Sequence, residues 1–269
     1  MNNLQGKVTV ITGGASGIGA AIALEFGLHG SSIAILDVDT IALKKQVNFL
    51  QRYNIPVIGF QCDITNEKQC TVTIAKIIKQ YGGIDILVNN AGITQRSLFV
   101  DTTATVYKKV MDVNFFGALY CTRAAINSII ERKGVIVVIS SIAGIAPLYG
   151  RTGYSASKHA LHGFFESLRA ELKDDGVCIM MVCPGFTSTN LQSRALSGNG
   201  TINTLDRAIV GREASPQSVA QAIYKGVIKR KRTLILTTVG KLSFLIAKYF
   251  PRLYEIMMSK SVRKEFIKR

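Results

Sequence analysis

The chain alternates short apolar runs with longer stretches of helical periodicity. Val8–Thr12 is a β-branched run ending at glycines, the pattern of a buried strand. Gly17–Leu28 follows, with Ile18, Ala21, Ile22 and Phe26 at helical spacing. Residues 32–36 read as a second strand closing at Asp37, 40–53 as a helix, and Val57–Gln61 as a third strand closing near Asp63. Glu67–Tyr81 is helical, with Ile74, Ile77 and Ile78 on one side. A fourth strand is predicted at 84–88, a long continuous helix at 107–132, and a fifth strand at 134–140. Residues 154–172 form a helix with Leu161, Phe164, Phe165 and Leu168 inward, and 177–182 a sixth strand stopped by Pro184-Gly185. Residues 186–215 are polar and without clear periodicity. Ser215-Pro216 is a capping pair opening a helix over 216–229, and 233–238 is a seventh strand.

Strands alternate with helices, and the strands are near-continuous apolar runs, so both sheet faces are covered. Right-handed crossovers then give an α/β fold with a doubly wound, parallel, seven-stranded sheet, Rossmann-like. One such domain over residues 1–240, followed by an extension over 241–269, accounts for the 269 residues.

Composition narrows the class. At 48% hydrophobic and 19% charged the chain is too apolar for disorder. The five cysteines and three histidines show no metal spacing and no CxxC, which points to a reducing compartment and to no metal. No signal-like start and no run of eighteen apolar residues is present, so a cytoplasmic protein is expected. The net charge of +16 is concentrated late: residues 225–269 hold 13 Lys and Arg against 2 Asp and Glu. That argues against nucleic acid as a partner of the whole surface and for a separate role of the tail.

In doubly wound sheets ligands bind beyond the carboxyl ends of the strands. After the first strand stands Thr12-Gly13-Gly14-Ala15-Ser16-Gly17-Ile18-Gly19, where glycines let backbone approach a pyrophosphate at a helix N-terminus. After the second stands Asp37, placed to accept ribose hydroxyls and to repel a 2′-phosphate; with no basic residue beside it, NAD is favoured over NADP. A helix cap is the competing role for an aspartate there, which Asp39 could fill as easily. Asp63 could accept an adenine amino group or cap the next helix. Asn89-Asn90-Ala91-Gly92 leaves room for a cofactor to cross.

After the fifth strand come Ser140 and Ser141, then Tyr154 and Lys158 at i and i+4, on one helix face. An ammonium about 4 Å from a phenol, at an effective dielectric of about 20, favours the phenolate by roughly 4 kcal/mol. That is expected to bring a group of ordinary pKa about 10 toward neutrality, where it serves as a general acid–base.

TGGASGIG at 12–19, Asp63, NNAG at 89–92, Asn114 in MDVNFFG, SSIAG at 140–144, YSASK at 154–158 and PGFTST at 184–189 together resemble the classical short-chain dehydrogenase/reductase family, in family order, from residue 6 to about 240. The resemblance implies a catalytic tetrad of Asn114, Ser141, Tyr154 and Lys158, Ser141 being chosen over Ser140 by its distance from the tyrosine. It implies that Tyr154 exchanges the proton, Ser141 binds the substrate oxygen, Lys158 tunes the phenol and holds ribose, and Asn114 keeps a relay water. Cofactor contacts are implied at Gly13, Ser16, Gly17, Ile18, Gly19, Asp37, Asp63, Ile64, Asn90, Ala91, Gly92, Pro184, Gly185 and Thr187, besides Tyr154 and Lys158. It also implies a substrate lid over 186–215 and a homodimer or homotetramer through the helices at 107–132 and 154–172.

Gly198, Gly200 and Gly211 suggest a mobile lid, and Leu148, Tyr149, Phe186, Leu191 and Leu196 an apolar pocket wall. No charged group clearly faces the substrate, which favours a neutral lipophilic alcohol or ketone. In the tail, Leu245, Tyr249, Leu253, Ile256 and Met257 recur at helical spacing among basic residues, with a break at Pro251. Such a stretch suits peripheral contact with an anionic membrane, or packing on the body with its charges solvated. The expected activity is NAD(H)-dependent interconversion of a secondary alcohol and a ketone. An NADPH-dependent carbonyl or 3-oxoacyl-type reductase is the second enzyme reading. A silent nucleotide-sensing or membrane-associated scaffold is the reading of another class, opposed by the intact tetrad.

Overall fold

The computed structural model describes residues 3–204, 208, 211 and 213–266. Residues 205–207, 209–210 and 212 of the expected lid, and the ends at 1–2 and 267–269, lie outside the described residues.

Among the described residues, seven strands form one all-parallel sheet in the order β3-β2-β1-β4-β5-β6-β7. They are β1 (Val8–Thr12), β2 (Ser32–Asp37), β3 (Val57–Gln61), β4 (Ile86–Asn89), β5 (Val135–Ile139), β6 (Cys178–Cys183) and β7 (Thr233–Ile235). The helices are α1 (Gly17–Leu28), α2 (Thr40–Gln51), α3 (Glu67–Tyr81), α4 (Ala104–Met111), α5 (Gly117–Glu131), α6 (Thr152–Glu171), α7 (Pro216–Ile228), α8 (Thr238–Tyr249) and α9 (Pro251–Val262). The strand order reverses between β1 and β4, and the Asn90 amide crosses that gap to the Thr12 hydroxyl at 3.0 Å.

Two apolar cores sandwich the sheet. One packs Ile74, Ile77, Cys121, Ile129, Leu161 and Phe165 against one face. The other packs Ile22, Phe26, Leu50, Val219 and Ile223 against the opposite face. The central strands are largely apolar because both faces are covered; every residue of β1 and β5 is buried. Asp39, Asn66 and Ser215 cap α2, α3 and α7 with side-chain bonds to backbone amides.

Of the differences from the sequence expectation, three bear on the site. The 107–132 stretch is α4 and α5 joined by a π-helical turn at Asp112–Phe116. Helix α6 begins at Thr152, which puts Tyr154 in its first turn. The last strand stops at Ile235, because the Thr237 hydroxyl accepts the Gly240 amide at 3.0 Å and opens α8.

Candidate active site

A cavity of about 1470 Å³ runs along the carboxyl ends of the strands. Its wall at one end is the glycine turn. Gly13 has φ +62°, and a Cβ there would come within 2.9 Å of the Ala91 Cα. The Asn90 side chain donates to the carbonyls of Thr12 (2.9 Å) and Gly13 (3.0 Å), and the Ala91 amide donates to the Thr12 hydroxyl at 3.0 Å. Turn and crossing loop are thus one braced unit. Gly19 stands behind the wall: a Cβ would meet the Gly13 carbonyl at 2.4 Å and the Asn90 amide at 2.5 Å.

The three aspartates now separate by role. Asp39 caps α2, accepting from the Ala42 amide at 2.9 Å. Asp37 instead faces the cavity, its two oxygens taking the amides of Ala15 and Asp39, both at 3.1 Å. Asp63 does not cap α3, which Asn66 does. One Asp63 oxygen accepts from the amide and hydroxyl of Thr65 (2.9 and 2.8 Å), and the residue is exposed at the cavity rim.

At the middle of the cavity, Ser141, Tyr154 and Lys158 share the wall. Ser140 turns inward, its hydroxyl donating to the Lys158 carbonyl at 3.4 Å, while Ser141 caps the short turn at Ile142–Gly144 and lies near enough to Tyr154 to ease ionisation of its phenol. Lys158 is buried; its Nζ donates to the Ile139 carbonyl at 2.8 Å and lies 5.7 Å from the Tyr154 ring centre. Burial brings the Lys158 amine down to about 8. Burial also pushes the Tyr154 phenol up, with Ser141 and the charge of Arg151 pulling it back. Lys158 stands beside the phenol, as the i and i+4 spacing predicts, with one of its donors turned to the Ile139 carbonyl.

Asn114 lies in the π-helical turn, behind the cavity wall. Its oxygen accepts the Ile93 amide at 2.8 Å, and its nitrogen donates to the Ile93 carbonyl and the Ser157 hydroxyl, both at 2.9 Å. Both amide hydrogens are therefore engaged, while the oxygen, with one donor on it, keeps a second lone pair.

The described part of the expected lid is partly anchored. Thr189 sits over Gly17, and Thr187 pairs with Ala214. Leu196 is buried and pairs through its backbone with Thr94 and Arg96, so it holds the loop down rather than facing the pocket. Gly198 serves close packing, not mobility, because a Cβ would meet the Asp101 carbonyl at 1.9 Å. Phe186, Leu191 and Leu148 do line the cavity, while Tyr149 lines a smaller cleft beside it.

Two groups of lining residues were missed. Lys108, Lys109, Asp112, Arg151, Arg194 and Glu213 put charge on a wall expected to carry none at the substrate. The tail supplies Leu242, Ile246, Met257, Met258, Ser261 and Val262. The apolar stripe singled out in the tail mostly faces out: Tyr249 is 63% and Ile256 is 56% exposed.

The cradle fits a dinucleotide. A turn with glycine at 13, 14 and 17 opens at the N-terminus of α1, and carboxylates stand past β2 and β3 where ribose and adenine donors would end.

The family model for short chain dehydrogenases matches residues 7–199. The chain belongs to the short-chain dehydrogenase/reductase family and is an oxidoreductase. It is similar to dehydrogenase/reductase SDR family member 7B of Rattus norvegicus, 35% identical over 97% of this chain and 83% of that one. The Danio rerio protein of that name is 32% identical over 98% and 88%. In fold it matches a short-chain dehydrogenase/reductase from Burkholderia phymatum solved in complex with NAD, with a TM-score of 0.84, 24% identity, and coverage of 94% and 96% of the two chains.

Proposed function

We propose that the protein interconverts a secondary alcohol and a ketone on a neutral, lipophilic substrate, using NAD(H). The observation that carries this is the Ser141–Tyr154 hydroxyl pair beside Lys158, in one cavity with the glycine turn and Asp37. The nicotinamide cofactor, when bound, supplies or accepts the hydride. Gly13, Ser16, Gly17 and Ile18 hold its pyrophosphate, Asp37 its ribose, Asp63 and Ile64 its adenine, and Asn90, Ala91, Gly92, Pro184, Gly185 and Thr187 its nicotinamide half. Ser141 fixes the substrate oxygen, and Tyr154 gives that oxygen a proton in reduction and takes it in oxidation. Tyr154 sits in the first turn of α6, whose dipole favours the phenolate. Lys158 holds cofactor ribose and adds its charge once the site is filled. Asn114, held in place by Ile93 and Ser157, keeps a relay water beside Lys158.

A lipophilic substrate is supported by Leu148, Phe186 and Leu191 together with the tail's Leu242, Ile246 and Met258. Tyr154→Phe tests the reading: turnover should fall by about a thousandfold or more, while nicotinamide fluorescence titration should give an unchanged affinity. Retained turnover overturns it.

One observation favours NADPH as the second reading. Arg194 reaches from the lid to within 4.0 Å of Asp39, bringing a cation near the Asp37 end of the cavity. Titration with both cofactors decides between them.

The tail also suits a membrane surface. Leu242, Tyr249, Phe250 and Ile256 are more than half exposed, with Lys241, Lys248, Arg252 and Lys260 exposed around them. Among the described residues no helix is long and apolar enough to cross a membrane. We place the protein in the cytoplasm, peripheral on anionic lipid. Its five free cysteines suit that compartment. Flotation with anionic vesicles at low salt is the expected behaviour, and recovery of all protein in the unbound fraction excludes it. The aromatic face of Phe115, Phe116, Tyr120 and Phe164 on the π turn, α5 and α6 is the proposed contact of a homodimer or homotetramer.

A further inference from the structure

The segment between Ser141 and Tyr154 is held less by the sheet than by the tail. The Tyr254 hydroxyl donates to the carbonyls of Ala146 (3.3 Å) and Pro147 (3.0 Å). The Tyr149 amide points at the Met258 sulfur at 3.0 Å. The Phe266 ring lies on Gly150, where φ is +65° and a Cβ would come within 2.2 Å of the ring, and it packs edge-on to Tyr149. Arg151 and Glu265 form an ion pair at 2.8 Å with side chains only 6% and 2% exposed. The other Glu265 oxygen accepts the Ala208 amide of the lid at 2.8 Å. One carboxylate therefore joins the tail, the lid and the residue just before α6.

We infer that Glu265 is a positioning residue for the reaction: through Arg151 it locks the tail onto the 146–151 segment and so sets Tyr154 against Ser141. This rests on the proposed role of Tyr154. Tail residues are not an independent module on this view, and they lie beyond the stretch 7–199 that carries the family match.

A buried ion pair is costly to assemble and costly to halve, so it is kept where geometry matters. Arg151 is three residues before Tyr154, and its charge is one of the influences that eases ionisation of that phenol. The groups facing Tyr154 are Ser141, Arg151, Lys158 and Cys183, and Glu265 is the counter-charge to the second of them. Removing the Glu265 charge leaves Arg151 more positive toward the phenol. The proton of Tyr154 should then come off at lower pH.

The test uses the full chain with Glu265→Gln, Glu265→Asp and Tyr254→Phe. Three measurements are made: amide hydrogen exchange of 146–151, the pH profile of kcat, and NADH affinity by fluorescence. Glu265→Gln should speed exchange at 146–151 and move the limb of kcat assigned to Tyr154 down by about 0.5 pH unit. NADH affinity should stay within about twofold, since the glycine turn is braced without the tail. Glu265→Asp should restore most of the wild-type profile. Tyr254→Phe keeps the ring and removes only the two carbonyl bonds, so it should loosen exchange even if the glutamine variant folds poorly. Faster exchange with an unmoved kcat profile makes the tail a purely structural cover and overturns the inference, as does unchanged exchange in both variants. Failure of the proposed function shows separately, as a wild-type pH limb that persists in Tyr154→Phe.

Discussion

At the glycine-turn end of the cavity, the groups that would meet a ligand are tied together within short stretches of chain or across neighbouring strands. Asp37 reaches Ala15 over 22 residues, and Asn90 reaches Thr12 between adjacent strands. At the other end the ties run between Tyr149 and Met258, 109 residues apart, and between Arg151 and Glu265, 114 apart. The first end is closed by the sheet itself. The second is completed only when the tail and lid return to it, so it is the part free to vary with substrate.

The contrast can be broken most directly at Gly19. Gly19→Ala drives a methyl into the Gly13 carbonyl and the Asn90 amide, which cannot move without opening the turn. NADH affinity should fall on the order of a hundredfold, with a loss of about 1–3 kcal/mol in urea unfolding. Unchanged affinity would show that the turn is not the preformed cradle described.

Lys158 lies where the two ends meet. Its amine is near 8 in the folded chain because it is buried, against about 10.5 unfolded. Between those values the unfolded chain binds the extra proton, so stability should rise with pH by about 2–3 kcal/mol across pH 8 to 10.5. Lys158→Met should flatten that rise in chemical denaturation, measured without cofactor. An equal slope in both proteins would place the pH dependence elsewhere.

Asp37→Ala should lower the NAD to NADP preference about tenfold, equivalent to about 1.4 kcal/mol. An unaltered ratio from the two titrations would remove Asp37 from the ribose site. The smallest effect belongs to the outer face of the tail. Ile256→Ser should change unfolding stability by less than about 0.5 kcal/mol, because Ile256 is 56% exposed. A larger loss would mean that this face is covered in solution.

The same contrast explains what was legible in the sequence. The succession of strands and helices, the glycine turn and the helix carrying Tyr154 and Lys158 follow from patterns a few residues long, and these appear in the fold. Spacing puts Lys158 beside the Tyr154 ring but does not show how deeply both are buried. Leu196 looked like pocket wall because its backbone partners, Thr94 and Arg96, are a hundred residues away. The tail stripe of Leu245 and its spaced companions shows the helices, but the cavity-facing Leu242, Ile246 and Met258 lie off it. Tyr254 and Val262, which dock it, are single positions that no apolar period distinguishes.

The π-helical turn at Asp112–Phe116 has a consequence for chain length. Each residue added to a helix advances its face by about 100°. The wide turn takes up one residue more than a regular one, so α4 and α5 keep their faces while Asn114, inside it, is displaced toward Ile93. Deleting a single residue there would restore regular winding and leave Phe116 and Tyr120 facing much as they do. The loss would fall on Asn114 and its hold on Ile93, so the extra residue serves the site and not the aromatic surface.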